Sequence, residues 1–218
     1  MDTDECLIIW GAGGHAEVVA DIIQLDGKYR VSGFLDDANP QRWGTSFCGA
    51  TILGGEAALC DIRNRGIRHL ILAFGNNAAR LARAELATSK GFALATARHH
   101  RATIASNVRI GPGTVVAAGA VINPSASIGR NVIINTSASV DHGCIIADGV
   151  HVCPGVHLAG NVQVDRAAWV GIGATVKEGI RIGAGATIGA GSVVVRDVPP
   201  GALPFGIPAR VIKENYSQ

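Results

Sequence analysis

Two sets of residues in this chain have types and spacings suited to chemistry. The first is Gly11-Ala12-Gly13-Gly14-His15-Ala16, a Gly-x-Gly-x-x-Ala pattern directly after the apolar run Leu7–Trp10. Free backbone amides at the start of a helix favour a phosphate. Asp36 and Asp37, about 20 positions on, can accept bonds from ribose hydroxyls. Alternatively the glycines serve only a tight strand-to-helix turn, with His15 capping the helix rather than touching a diphosphate. The second set is the histidines, seven in all. His69, His99 and His100 fall at a strand start and at the junction of two dissimilar halves, and carry no pattern. His142, His151 and His157 are clustered in the second half.

The elements that must position these groups differ between the halves. Residues 1–100 alternate strand and helix patterns: Leu7–Trp10, a helix with Val18, Val19, Ile22 and Ile23 as its apolar face, Val31–Leu35, a turn-rich stretch, a short helix around Glu56–Arg65, His69–Phe74, then Gly75-Asn76-Asn77 opening the helix of Ala78–Lys90. That alternation indicates a small Rossmann-like parallel α/β sheet. It is too short for the two mononucleotide halves of a dinucleotide fold. One nucleotide, such as that of a sugar diphosphate, fits better than NAD.

From Ile104 to Val194 every sixth residue is Ile, Val or Leu. No helix or ordinary strand has that period, which marks the hexapeptide repeat of a parallel β-helix. With three hexads per triangular coil, the stack is roughly 25 Å tall at ~4.8 Å per coil. The aliphatic position and the one four residues later face inward. The residue after the aliphatic one is often Gly, Asn or Asp, which suits tight corners. The expected division is 1–100 for nucleotide-sugar binding, 101–198 for the β-helix and 199–218 for an extended cap. Such a prism usually buries one of its three faces by self-association.

The period places His142, two residues after Val140, on the outer surface, with Pro124 and Gly160 one coil away on either side. A histidine beside a glycine leaves an open groove at the imidazole and suits a general base; the plain alternative is a solvated surface histidine. His142, His151 and His157 all fall outside the two inward registers. Three histidines and a water would also make a zinc set of the γ-carbonic-anhydrase kind.

Composition narrows the classes further. Apolar residues make up 48% and charged ones 17%, enough for a real core. A net charge of +2 without a Lys/Arg run argues against nucleic acid as a partner. The acidic start MDTDEC has no signal-peptide character and its apolar run is too short to span a membrane, so the chain reads as cytoplasmic. Five cysteines without a CxxC pair indicate neither a disulfide framework nor structural zinc. Cys144 falls on an inward register and is a poor nucleophile.

The segments GAGGHAEVVAD, LDD, FGNNAAR, INTSASVDHGC, GVHVCPGVHLAGNV and GIPAR resemble the sialic-acid O-acetyltransferase and bacillosamine-type nucleotide-sugar N-acetyltransferase family. The resemblance spans nearly the whole chain. It implies a left-handed β-helix, a homotrimer with sites between subunits, acetyl-CoA as cosubstrate, no metal, and a nucleotide-linked amino sugar as acceptor, in polysaccharide biosynthesis such as that of lipopolysaccharide O-antigen. It makes His142 the catalytic base. Asn135, His151, Gly160, Ile172 and Ala190 would line the acetyl-CoA site, with the Gly160 N–H at the oxyanion. Gly11, Ala12, Gly13, Gly14, His15, Asp36 and Asp37 would hold the nucleotide. Several members carry Glu directly after the catalytic histidine; this chain has Gly143. An orienting carboxylate must then come from Asp141, Asp148 or a neighbouring subunit, or be absent. Sugar O-acetylation, a zinc hydrolase and a non-enzymatic nucleotide-sugar sensor stand as alternatives.

Overall fold

A computed structural model describes residues 5–211. Its first half runs β1 (Glu5–Trp10), α1 (Gly14–Asp26), β2 (Tyr29–Leu35), β3 (Ser46–Phe47), β4 (Ala50–Gly54), α2 (Leu59–Asn64), β5 (His69–Leu72), α3 (Asn77–Ser89) and β6 (Ala93–Leu94). The sheet order is β3-β4-β2-β1-β5-β6, parallel except for the β3–β4 hairpin. The central strand β1 is apolar throughout because both of its faces are covered. Leu7 and Ile9 pack with Val19, Ile22 and Ile23 of α1, while Ile8 and Trp10 meet Leu59 and Ile62 of α2 and Ala84 and Ala87 of α3. Each such side chain contributes ~1.5–3 kcal/mol by leaving water.

Two details differ from the sequence reading, and a third adds to it. Val18 is exposed, since it lies on the solvent side of the α1 stripe. The turn-rich stretch holds the β3–β4 hairpin, whose corner Cys48-Gly49 takes positive φ at both residues (45° and 80°). A cysteine there hides the usual Asn-Gly signal of such a turn. The Gly27 N–H closes α1 on the Ile23 carbonyl at 3.2 Å, with Gly27 in the left-handed conformation that ends helices.

The second half is a left-handed β-helix whose two-residue strands stack into three parallel walls. The first wall contains Ala97–Arg98, Val115–Val116, Ile133–Ile134, His151–Val152, Trp169–Val170 and Thr187–Ile188. The second contains Thr103–Ile104, Val121–Ile122, Ser139–Val140, His157–Leu158, Thr175–Val176 and Val193–Val194. The third runs from Arg109–Ile110 to Arg181–Ile182. Inward residues from Val116 to Val198 form one core column.

The left-handed corner residue is not the one after the aliphatic position but two further on, at Gly113, Ser125, Asn131, Gly143, Asn161 and their repeats. Small residues directly after the aliphatic position answer a different need. A Cβ there would come within 2.7 Å of the next coil's backbone at Gly111 and 2.4 Å at Gly183.

The ladder also outlasts the aliphatic repeat, since Thr187 N–H bonds the Ala202 carbonyl and Gly189 N–H the Pro204 carbonyl, both at 2.9 Å. The segment expected to be an extended cap then closes as an antiparallel hairpin, Pro204–Gly206 with Ala209–Val211. Residues 212–218 lie outside the described residues.

One wall of the prism is covered by the chain's own first half. On the first wall the outward residues Ala97, Val115, Ile133 and His151 are all buried, and Ala97 and Val115 join the core under α1. Arg80 of α3 rivets the junction and is fully buried. Its guanidinium donates to the Asn131, Phe74, Gly75 and Gly149 carbonyls and to Asn77 Oδ1, at 2.9–3.1 Å. Burial lowers its pKa to about 10, so it remains charged at neutral pH.

Candidate active site

The glycine loop leaves β1 at the carboxyl edge of the sheet, next to the crossover between β2 and β5 where such folds bind ligands. Gly11 is required by the fold. It has φ +131° and a Cβ there would lie 2.5 Å from the Ala73 carbonyl oxygen. Gly13 and Gly14 are not, because a Cβ at either meets nothing within 4 Å. A turn alone therefore accounts for Gly11 but leaves an open, amide-lined space at the other two. Two helices start here, α1 behind Gly13 and α3 behind Asn76, whose side chain caps Ala79 N–H at 2.9 Å. Their N-termini make the cleft attractive to an anion.

That cleft has a volume of about 550 Å³ and is lined by Trp10, Gly11 to His15, Asp36, Asp37, Arg42, Gly75 and Arg83 among others. Asp36 and Asp37 do lie in its wall, but their oxygens are engaged by the protein. Asp36 accepts from Ala38 N–H (3.0 Å) and Asn39 N–H (3.2 Å), closing the loop after β2. Asp37 accepts from Trp10 Nε1 (3.0 Å) and Glu56 N–H (2.7 Å). The cleft also holds two cations that the sequence motifs do not include. Arg42 donates to the Ala12 carbonyl at 2.7 Å, and Arg83 lies 5.3 Å over the Trp10 ring while pairing with Asp37 and Glu56. Arg83 was legible in principle, since it lies seven residues after the α3 cap. Arg42 depends on a short 3₁₀ turn (Pro40–Arg42) that no periodicity announces.

His15 neither caps α1 nor faces solvent fully. Its ring lies 6.2 Å from that of His151, whose other face meets Trp169 at 4.3 Å. His151 Nε2 is 3.2 Å from Asn135 Nδ2. His15 Nε2 and His151 Nδ1 are buried without a hydrogen-bond partner. Burial, reinforced by the Arg80 charge, lowers His15 to about 4 and His151 to about 3, so both rings are neutral. His151 lies outside the inward registers, as its place in the repeat implies, yet the wall that carries it is covered. The residue is only 5% exposed, set between the His15 and Trp169 rings, where the Gly75 turn comes so near that a Cβ on Gly75 would lie 3.4 Å from Trp169.

His142 is exposed on the edge between the second and third walls. Its ring lies over Gly160, where a Cβ would be 2.6 Å from Cε1 and 2.7 Å from Nε2. The Gly160 carbonyl is bonded by Gly179 N–H at 3.0 Å, whereas its own N–H takes no part in the coil ladder. Asn135, Ile172 and Ala190 stack along a different edge, between the first and second walls. Ile172 and Ala190 are exposed there.

His157 projects from the second wall, 2.8 Å from Ser139 Oγ. The three histidines of a would-be zinc set are thus on a wall, another wall and an edge. Among the described residues no group of three or more His, Cys, Asp or Glu side chains is placed to hold a metal. Nor, among those residues, is any helix long and apolar enough to cross a membrane.

Comparison with known proteins places this architecture. Residues 6–86 match the PglD N-terminal domain. A search of curated proteins finds no match. Among solved structures, perosamine N-acetyltransferase from Caulobacter crescentus, in complex with CoA and GDP-perosamine, is 38% identical. The match covers 95% of this chain and 97% of that one, with a TM-score of 0.91. The acetyltransferase domain of PglB from Neisseria gonorrhoeae, in complex with acetyl coenzyme A, is 36% identical over 96% of this chain and all of that one, TM-score 0.89. WeeI from Acinetobacter baumannii AYE is 25% identical over 95% and 99%, TM-score 0.87. The chain belongs to the hexapeptide-repeat family of acetyl-CoA-dependent nucleotide-sugar N-acetyltransferases, the bacillosamine-type relatives of the sialic-acid O-acetyltransferases.

Proposed function

We propose that the protein transfers acetyl from acetyl-CoA to the amine of a nucleotide-linked amino sugar, with GDP-perosamine the first candidate and His142 the general base. The observation that carries this is the His142 ring lying bare over Gly160 on an edge of the prism, beside an exposed wall. The perosamine N-acetyltransferase supports the choice of sugar. That relative binds CoA and GDP-perosamine and was also studied with a histidine replaced by asparagine or alanine.

The nucleotide occupies the cleft over Gly13 and Gly14, its diphosphate facing both helix N-termini with Arg42 and Arg83 alongside. The division of labour falls near residue 100, with residues 1–100 holding the nucleotide and 101–198 the transfer chemistry. His142 and the Asn135–Ile172–Ala190 edge are separated by the second wall within one chain. Two copies laid against each other bring such edges together, so we place acetyl-CoA in the groove between subunits of a cytoplasmic homotrimer.

In the reaction, the amine nitrogen attacks the thioester carbonyl as His142 takes its proton. The Gly160 N–H donates to the developing oxyanion. Collapse breaks the C–S bond, and the imidazolium returns its proton to the departing CoA thiolate. Transfer is direct. Cys144 is fully buried, its Sγ donates to the Ala159 carbonyl at 3.2 Å, and burial raises its pKa, so it is no nucleophile.

The test is acetyl-CoA-dependent thiol release with a panel of UDP-, GDP-, dTDP- and CMP-linked amino sugars, for wild type and His142→Asn. Turnover on one donor, falling by about 10²–10⁴ in the variant, is expected. A variant keeping more than about a tenth of wild-type turnover would overturn His142 as the base. Acetyl found on a hydroxyl would move the protein to the O-acetylating branch.

A further inference from the structure

We propose that Asp141, held in place by Asn123, is the positioning residue of His142, a role that deepens the reading of His142 as base and rests on it. Asp141 Oδ1 accepts two hydrogen bonds, from Asn123 Nδ2 one coil back at 2.9 Å and from the backbone N–H of His142 itself at 2.7 Å. The second bond fixes the peptide that carries the imidazole. The coil ladder fixes its far side, where the His142 carbonyl accepts from Asn161 N–H at 2.9 Å. The side chain is thus anchored on both sides while its ring stays exposed. The N–H of His142, more than the Asn123 amide, stabilises the ionised carboxylate and lowers the Asp141 pKa.

Among the described residues no other acid is placed for this role. Position 143 supplies no carboxylate, since the left-handed corner there (φ +66°) is occupied by Gly143. Asp148 sits on another edge and is taken up by Arg130, accepting its N–H (2.7 Å), Nε (3.0 Å) and Nη2 (2.9 Å). The coil before His142 presents Asn123 and Pro124, and the coil after presents Gly160 and Asn161, none of which titrates. One coil further, Lys177 and Glu178 pair with each other at 3.7 Å. His157, on the adjoining wall, is bonded to Ser139. Asp141 is therefore the one carboxylate in those neighbouring positions beside the imidazolium that forms when His142 takes a proton, and an adjacent negative charge favours that form.

Asp141→Asn separates geometry from charge, because the amide oxygen can still accept both bonds. Its kcat is expected to fall about tenfold, with both KM values within about twofold and the melting temperature unchanged. The acid limb of kcat/KM should move toward lower pH, by at least about 0.3 pH unit, as the imidazolium loses its neighbour. Asn123→Ala keeps the charge but loosens its support, and should lower kcat severalfold with the limb in place. A melting temperature that is unchanged in both variants rules out a fold defect as the cause.

His142→Asn is measured alongside. If it is inactive while Asp141→Asn keeps kcat within twofold and an unmoved limb, Asp141 has no positioning role and the base assignment stands. If His142→Asn stays active, the base assignment itself falls, and this inference with it.

Discussion

Replacing Gly160 by alanine tests the site at its tightest contact. The new methyl would stand 2.6 Å from His142 Cε1 and 2.7 Å from Nε2, where carbon atoms settle at about 3.5–4.0 Å. The ring must retreat by roughly 1 Å. It is exposed and can swing outward, and residue 160 is not one of the left-handed corners. Gly160 is buried, but the nearest atoms its methyl would meet all belong to that movable ring, so the fold should give up no more than about 0.5 kcal/mol. Catalysis should not be so tolerant, since a base displaced by about 1 Å can lose on the order of 10² in rate. Steady-state thiol release is expected to show kcat down by at least about 30-fold, and thermal melting to show no change. In a His142→Asn background the same substitution should cost nothing further, because the two act on one group. A Gly160→Ala enzyme within threefold of wild type, melting normally, would show that the placement of this ring does not govern turnover.

Gly14→Val should raise KM for the nucleotide sugar more than about tenfold while leaving KM for acetyl-CoA and the melting temperature unchanged. A Cβ at position 14 has no protein atom within 4 Å and the side chain projects into the space assigned to the diphosphate, and an unaffected KM would move the nucleotide elsewhere. His151 makes a prediction about pH. Its pKa is lowered from 6.5 to about 3, first by burial and then by Arg80, so the unfolded chain binds the proton more readily than the folded one. The stability that the neutral ring confers is then complete above about pH 6.5 and is lost as pH falls toward 3. Between pH 7 and pH 5 the loss is about 2 kcal/mol. Urea unfolding at those two pH values should show a correspondingly shallower pH dependence in His151→Asn, and equal dependence in both proteins would refute the buried-neutral assignment.

Much of this was legible in the sequence because the period of six leaves little freedom. Once Val140 is inward, His142 must lie on an edge, and Gly160 must lie one coil beyond it. The glycine loop was legible for a related reason, since an apolar strand followed by glycines fixes where a helix begins. What could not be read was anything that depends on one half covering the other. The outward residues of the first wall run Ala97, Val115, Ile133, His151, Trp169, Thr187, less polar than Thr103, Val121, Ser139, His157, Thr175, Val193 of the second. That contrast was present in the sequence, but it acquires meaning only when α1 and the Gly75 turn are seen to cover the wall. Arg80 was unreadable for the same reason, because four of its five acceptors are backbone carbonyls, which carry no side-chain signature.

The three histidines of the repeat show how far position outweighs residue type. His151 and His157 are six residues apart and both point outward, one wall removed from each other. The first wall is covered, so His151 is buried, neutral and bonded to Asn135. The second wall is open, so His157 stays exposed against Ser139. His142 lies on neither wall. On an edge its backbone is gripped by Asp141 and Asn161 while its ring rests on the bare face of a glycine. A fixed backbone with an unobstructed, solvent-facing imidazole is what a proton acceptor requires, and His142 combines the two where His151 lacks solvent access.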